Sequence, residues 1–329
     1  MAAKTVAKVA GVAALGMGMY IGAIVRSQQY MLYRNRSYEE FDLGQYYANT
    51  LASFKRQEPA VQLLRYAVPR AAAPSDQTSH YVAARQGPAD RQKRLWVVLG
   101  GNAMLGLDWI PFLGKMRAAF PSEAASHEFL LIDYPSYGHN GGDPSPESIV
   151  ESVLAALEHL RSQGKLSEQT RSISLLGCSL GSAAALRIAS AIQHDSSLPA
   201  LRNVVLCCPF TSVFEVATYH RIVPAFLPRF LAEPLIQPPC AWDNRRALTD
   251  FLDARLSAPN PGALSLHIVH GDHDEICPVA MGEELSRQAQ VVQARDPHLA
   301  VQFTRVKDCD HNSVLELAFA DIARAMLRD

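Results

Sequence analysis

Gly177-Cys178-Ser179-Leu180-Gly181 has the G-x-S-x-G spacing that presents a serine hydroxyl for attack on a carbonyl carbon. Chance alone produces such a match in about one chain in ten of this length at ordinary Gly and Ser frequencies, so its surroundings must decide its meaning. Apolar ISLL (173–176) precedes it, and the helix-forming run SAAALRIASAI (182–192) follows. Strand, tight turn and helix together lift the hydroxyl out of a sheet and set it at a helix N-terminus, where developing negative charge is favoured. The competing interpretation is a serine at an ordinary turn between strand and helix.

A serine hydroxyl is a weak nucleophile near neutral pH, so it needs a base, and the base needs an acid to hold it. The chain order Ser, Asp, His is met by the HGDHDEICP loop (270–278) and the DCDHN loop (308–312), each following an apolar run. His311 is the preferred base. His267, inside a strand candidate, is expected to pack, and His270 and His273 crowd the acid loop. Asp274 is preferred as the acid over Asp272, whose spacing suits an Asx turn, and Asp310 suits a loop or capping role.

These loops can meet only if parallel strands bring their carboxyl ends to one face. The strand candidates are 95–99, 129–132, 173–176, 204–206, 264–269 and 301–306, alternating with helical periodicity. That alternation predicts an α/β fold, a mostly parallel central sheet with helices on both faces. Ser145 and Pro146 open a helix whose apolar face is Ile149, Val150, Val153, Leu154, Leu157 and Leu160. Val314, Ala318, Ile322 and Met326 give the last helix a four-residue stride. Residues 60–68 and 80–84, separated by AAAPSDQ, suit an antiparallel pair at a sheet edge.

Residues 9–25 form an uncharged run of 17 between Lys8 and Arg26. It predicts a single-pass N-terminal membrane anchor at 1–27, with a cleaved signal peptide and an organellar presequence as competitors. Ala10, Ala14, Gly18 and Gly22 line one face as in close-packed membrane helices. Residues 28–58 read as a connecting segment and 59–329 as the catalytic domain. The first 38 residues hold five bases and no acid; removing those five from the 31 Lys and Arg leaves 26 against 32 acids. An acidic body of this kind gives no footprint for nucleic acid. The six scattered cysteines lack zinc-ligand spacing and read as mostly buried thiols.

From Leu95 to Asp329 the chain resembles the α/β-hydrolase superfamily. The residues that carry the resemblance are, in order, strand-GGN, DYPSYGHNGGDPSPE, GCSLG, CPFTS, WDN, HGDHDEICP and DCDHN. It is most similar to a short-cap group that includes membrane-anchored acyl-protein thioesterases, monoacylglycerol-lipase-like enzymes and serine-aminopeptidase-like hydrolases. QQYMLY (28–33) also resembles the post-anchor segment of some members. The resemblance implies Ser179 as nucleophile, Asp274 as acid and His311 as base. Family members usually carry His-Gly before the oxyanion residue, where this chain has Gly100-Gly101-Asn102. The hole uses backbone N–H groups, so Asn102 and Leu180 can still supply it.

The fold places its variable cap between strands 6 and 7, here 211–263. Pro224, Pro228 and Pro234 break IVPAFLPRFLAEPLI (222–236) into short helical turns, with Phe226 and Phe230 as candidate substrate contacts. An apolar rim beside a serine suits an acyl chain, which predicts a membrane-associated hydrolase of acyl esters or thioesters acting on a lipid or lipidated protein. A serine peptidase-like enzyme and a catalytically inactive membrane scaffold are the alternatives. No phosphate loop, dinucleotide fingerprint or metal-ligand cluster is legible, so no cofactor is expected.

Overall fold

Runs such as LWVVL (95–99) and FLLI (129–132) are apolar without alternation, and in the computed structural model both lie in strands where they are buried on both faces. The structure describes residues 2–40, 42–57, 61–68, 76–84, 93–166, 170–224, 226–258 and 262–328. Ala60 and most of the loop expected between the edge strands lie outside them, as do the side chains of residues 1–15, including Lys4, Lys8, Ala10 and Ala14.

The strands are β1 (Val61–Ala67), β2 (Asp76–Val82), β3 (Lys93–Leu99), β4 (His127–Ile132), β5 (Thr170–Cys178), β6 (Leu201–Cys207), β7 (Leu264–Gly271) and β8 (Leu299–Val306). They form one sheet in the order β1-β2-β4-β3-β5-β6-β7-β8. β1 and β2 pair antiparallel at the edge, β2 pairs antiparallel with β4, and the remaining neighbours are parallel. The chain leaves β3 toward β4 on one side, then returns to place β5 on the other. That reversal opens a crevice at the carboxyl ends of β3 and β5, where ligands bind in sheets of this type.

The helices are α1 (Ala2–Leu32), α2 (Leu43–Gln57), α3 (Ile110–Ala119), α4 (Pro146–Ser162), α5 (Leu180–Gln193), α6 (Val213–Tyr219), α7 (Arg229–Ala232), α8 (Asn244–Ser257), α9 (Val279–Gln293), α10 (Val314–Leu317) and α11 (Phe319–Leu327). α4 starts where its cap demands: Ser145 Oγ accepts from Ser148 N–H at 3.0 Å and Pro146 takes the first helical position. The expected last helix is broken at Ala318, yet Val314, Ala318, Ile322 and Met326 are all buried. All six cysteines are buried free thiols.

One expectation changes. Among the described residues no helix is long and apolar enough to cross a membrane, which overturns the single-pass anchor expected at 1–27. As a helix, the uncharged run rises about 26 Å, less than the roughly 30 Å hydrocarbon core. Its described half is interrupted by Gly16, Gly18 and Gly22, and α1 continues past Arg26 into Gln28, which is buried against the protein. The segment 28–58, in turn, contains α2, whose Tyr47 and Phe54 are buried. Leu43, Tyr47, Leu51 and Phe54 already carry a helical stride, masked by the polar residues between them.

Beyond β6 the chain makes its excursion. A bridge between Ser212 and Asp243, reinforced by Val213 N–H to Trp242 O at 3.0 Å, closes the neck of the cap. α8 then returns to the sheet layer with Leu248, Phe251 and Leu252 buried, so the excursion is narrower than 211–263. α6 and α7 are short, as the prolines dictate.

Candidate active site

Ser179 sits between β5 and α5 with φ 52° and ψ −113°, a conformation that a non-glycine residue holds only when its surroundings impose it. Its N–H donates to Cys207 O at 2.8 Å, which ties the turn to β6. Ser182, not singled out from the sequence, buttresses it from below: its Oγ donates to Gly177 O at 2.9 Å and lies 3.1 Å from Cys207 O.

The flanking glycines are required by space. A Cβ at Gly177 would stand 2.3 Å from Gly181 O, and one at Gly181 would stand 2.2 Å from Leu99 O. Both obstacles are backbone atoms that cannot swing aside. Gly181→Ala is therefore expected to lower stability by about 3 kcal/mol or more, since overpacking against a rigid neighbour exceeds the usual range for a core. Urea unfolding of the variant beside the wild type measures this directly; a loss below 1 kcal/mol would mean that α5 can slide away from β3.

The loop after β7 presents Asp274, and the loop after β8 presents His311. His311 Nδ1–H donates to Asp274 Oδ2 at 2.7 Å, while Oδ1 accepts Ile276 N–H at 2.9 Å and Cys277 N–H at 2.7 Å. His270 Nε2–H donates to Cys277 O at 2.7 Å and lies 3.2 Å from Asp274 Oδ2. Burial alone would raise the pKa of Asp274. The hydrogen bonds from His270, His311 and the Cys277 backbone outweigh it and hold the carboxyl well below its usual range. With its proton on Nδ1, His311 keeps Nε2 as an acceptor.

The structure thus joins His311 to Asp274, and it places Ser179 at the carboxyl end of β5, on the same edge of the sheet, with β6 between β5 and β7. Among the described residues no hydrogen bond links Ser179 Oγ to His311. Contacts of this type commonly tighten only when substrate is bound. His267 pairs with Thr304 at 2.8 Å between β7 and β8, and His273 is exposed. Asp272 receives only a long bond from Cys309 N–H at 3.4 Å, and Asp310 Oδ1 caps the turn at Asn312 and Ser313. Cys208, His270 and Asp274 cluster within 4.8 Å; His270 Nε2 and both Asp274 oxygens are already engaged by the loop and His311.

Gly100-Gly101-Asn102 follows β3. A Cβ at Gly101 would lie 3.4 Å from Ser179 Cβ, which sets this loop beside the serine. Support comes from the first two residues of the DYPSYGHN motif. Tyr134 OH donates to Gly100 O at 2.6 Å, and Asp133 Oδ1 accepts Gly106 N–H at 2.7 Å. Burial pushes Asp133 up to about 6, against the hydrogen bonds from Tyr38 and Gly106. The Asn102 side chain is held through its Oδ1, which accepts Arg34 N–H at 2.6 Å and Tyr137 OH at 3.3 Å. The backbone N–H groups at the start of α5, Leu180 included, have no intrahelical acceptor.

A cavity of about 250 Å³ opens above Ser179 and Leu180, walled on the cap side by Val213, Val216, Ile222, Val223 and Ile236. Phe226 and Phe230 are 69% and 74% exposed and do not line it. Their proline-bounded turns direct them outward, and the smaller aliphatic residues of 213–223 take the inner face.

Residues 96–325 match the alpha/beta hydrolase family. The chain belongs to this family. It is also similar to proteins of two Mycobacterium tuberculosis strains described only as uncharacterized, each 30% identical over 158 residues. That match takes in 47% of this hydrolase and 46% of the relative, so the chain spans about half the length of the curated relatives it matches. Among solved structures, the hydrolase is similar in fold to an esterase of Pyrococcus furiosus (TM-score 0.56, 13% identity, 81% of this chain and 90% of the other). Est1E from Butyrivibrio proteoclasticus gives a TM-score of 0.51 at 14% identity over 80% and 97% of the two chains. A putative hydrolase from Agrobacterium vitis S4 gives 0.50 at 18% identity over 82% and 98%.

Proposed function

We propose that this hydrolase cleaves acyl esters or thioesters through a covalent acyl-enzyme on Ser179. The observation that supports the proposal is a hydrogen-bonded His311–Asp274 pair on the same sheet edge as Ser179, whose strained turn opens into an apolar cavity. His311 Nε2 takes the hydroxyl proton as Oγ adds to the carbonyl carbon, and the N–H groups of Asn102 and Leu180 receive the oxyanion. Collapse returns the proton to the departing alcohol or thiol. Water, deprotonated by the same histidine, then releases the carboxylic acid and restores Ser179. Asp274 holds His311 in the tautomer that makes Nε2 the acceptor.

An aliphatic cap wall favours an acyl chain over a peptide, so the substrate class proposed is an acyl-bearing lipid or a lipidated protein. Each methylene that enters the cavity adds about 0.8 kcal/mol, about a fourfold gain, until the space is filled. Values of kcat/KM for p-nitrophenyl esters are expected to rise from C2 toward C8. A best ester at C2, or an aminoacyl amide hydrolysed faster than every ester, would sink the acyl-chain assignment.

A further inference from the structure

One wall of the cavity comes from an unexpected place. Ile24, Gln28, Met31 and Leu32, all in the last turns of α1, line it together with the cap residues. The helix is latched there by polar bonds that no sequence pattern announces. The Gln28 carboxamide, 8% exposed, donates from Nε2 to Leu235 O at 2.8 Å and accepts Gln237 N–H on Oε1 at 2.8 Å. One turn on, Tyr33 OH donates to Pro239 O at 2.5 Å and accepts Trp242 Nε1–H at 2.9 Å.

The chain then runs directly into the oxyanion loop. Arg34 N–H is the 2.6 Å donor to Asn102 Oδ1, and the Arg36 guanidinium donates to Ala103 O at 2.8 Å. The same short segment therefore closes the cavity and braces the loop that carries one oxyanion donor. Gln28 is the one strongly polar side chain on this wall, and its carboxamide oxygen and nitrogen are both engaged by cap backbone. What α1 offers the cavity is hydrocarbon and a thioether.

We propose that the end of α1 is the specificity wall of the active site: Ile24, Met31 and Leu32 pack against the acyl chain of the substrate, and Gln28 fixes that wall to the cap. The proposal rests on Ser179 acting as the acyl-transfer nucleophile. It assigns residues 24–36, which resemble a tether in sequence, to substrate recognition and to the positioning of Asn102.

The test uses the full chain and the ratio of kcat/KM for the C8 over the C2 p-nitrophenyl ester. Ile24→Trp places an indole in the cavity; displacing about two methylenes of the chain at about fourfold each lowers the ratio by about fifteenfold. Gln28→Ala releases the latch and lowers the ratio in the same direction. Labelling of Ser179 by a small fluorophosphonate and the Tm of each variant show whether the protein is folded. Should Ile24→Trp fail to fold, Met31→Trp decides, because Met31 is 45% exposed and its outer side has room for a larger group. A ratio within about twofold of wild type in a folded, labelled tryptophan variant overturns the proposal. A wild type that labels and prefers longer esters while the variants are unchanged removes only the role of α1. A wild type that neither labels nor turns over esters removes the nucleophile on which it rests.

Discussion

Ser179→Ala is expected to lower kcat/KM for p-nitrophenyl octanoate by about 10⁵- to 10⁶-fold, the loss that follows when a serine nucleophile acting with its base is deleted. Residual turnover of about 10³-fold over water would persist, because oxyanion donors and binding walls remain. The fold is expected to survive. Ser179 makes no side-chain capping bond to α5, and alanine meets the same backbone strain at φ 52° as serine does. Its support lies in Ser182 and in the backbone bond to Cys207, neither of which the substitution touches. Intact-mass measurement after fluorophosphonate treatment is the decisive check: one adduct on the wild type, none on the variant. An adduct on folded Ser179→Ala protein would place the nucleophile elsewhere.

Much of the sheet could be read from the chain because its central strands are buried on both faces and leave uninterrupted apolar runs. β3 through β8 fall where those runs lie, and Gly177 and Gly181 mark the turn by the space they leave free. What stayed hidden depends on partners distant in sequence. Gln28 is one of two adjacent glutamines at the end of an apolar run, and nothing local says that its carboxamide meets the backbone of Leu235 and Gln237. Likewise Tyr38 and Tyr47 belong to a polar, aromatic stretch; only the fold brings them to the carboxylates of Asp133 and Asp108. The anchor reading erred for a different reason: an uncharged run of 17 counts as a span by its lack of charge, yet no helix among the described residues is both long and apolar enough to cross a membrane. Phe226 and Phe230 illustrate the converse, large aromatic residues whose exposure is set by the prolines around them.

Asp274→Asn is expected to reduce kcat by about 10⁴-fold with little change in fold, the effect of putting the imidazole proposed as base in the wrong tautomer. In the native site one carboxylate oxygen accepts Ile276 and Cys277 N–H, and the other accepts His311 Nδ1–H. Asparagine can keep its carbonyl oxygen on the two backbone donors, so the loop stays closed. Its amide N–H₂ then faces His311, which must offer Nδ1 as an acceptor and carry its proton on Nε2. A protonated Nε2 cannot take the hydroxyl proton, and fluorophosphonate labelling should slow in parallel with ester turnover. Protonation of Asp274 should have no part in any activity lost between pH 8 and 5, because its hydrogen bonds keep the carboxyl ionised throughout that range. A folded Asp274→Asn protein that retains more than about a tenth of wild-type kcat would mean that another group orients the base, with Asp272 in the same loop as the next residue to replace.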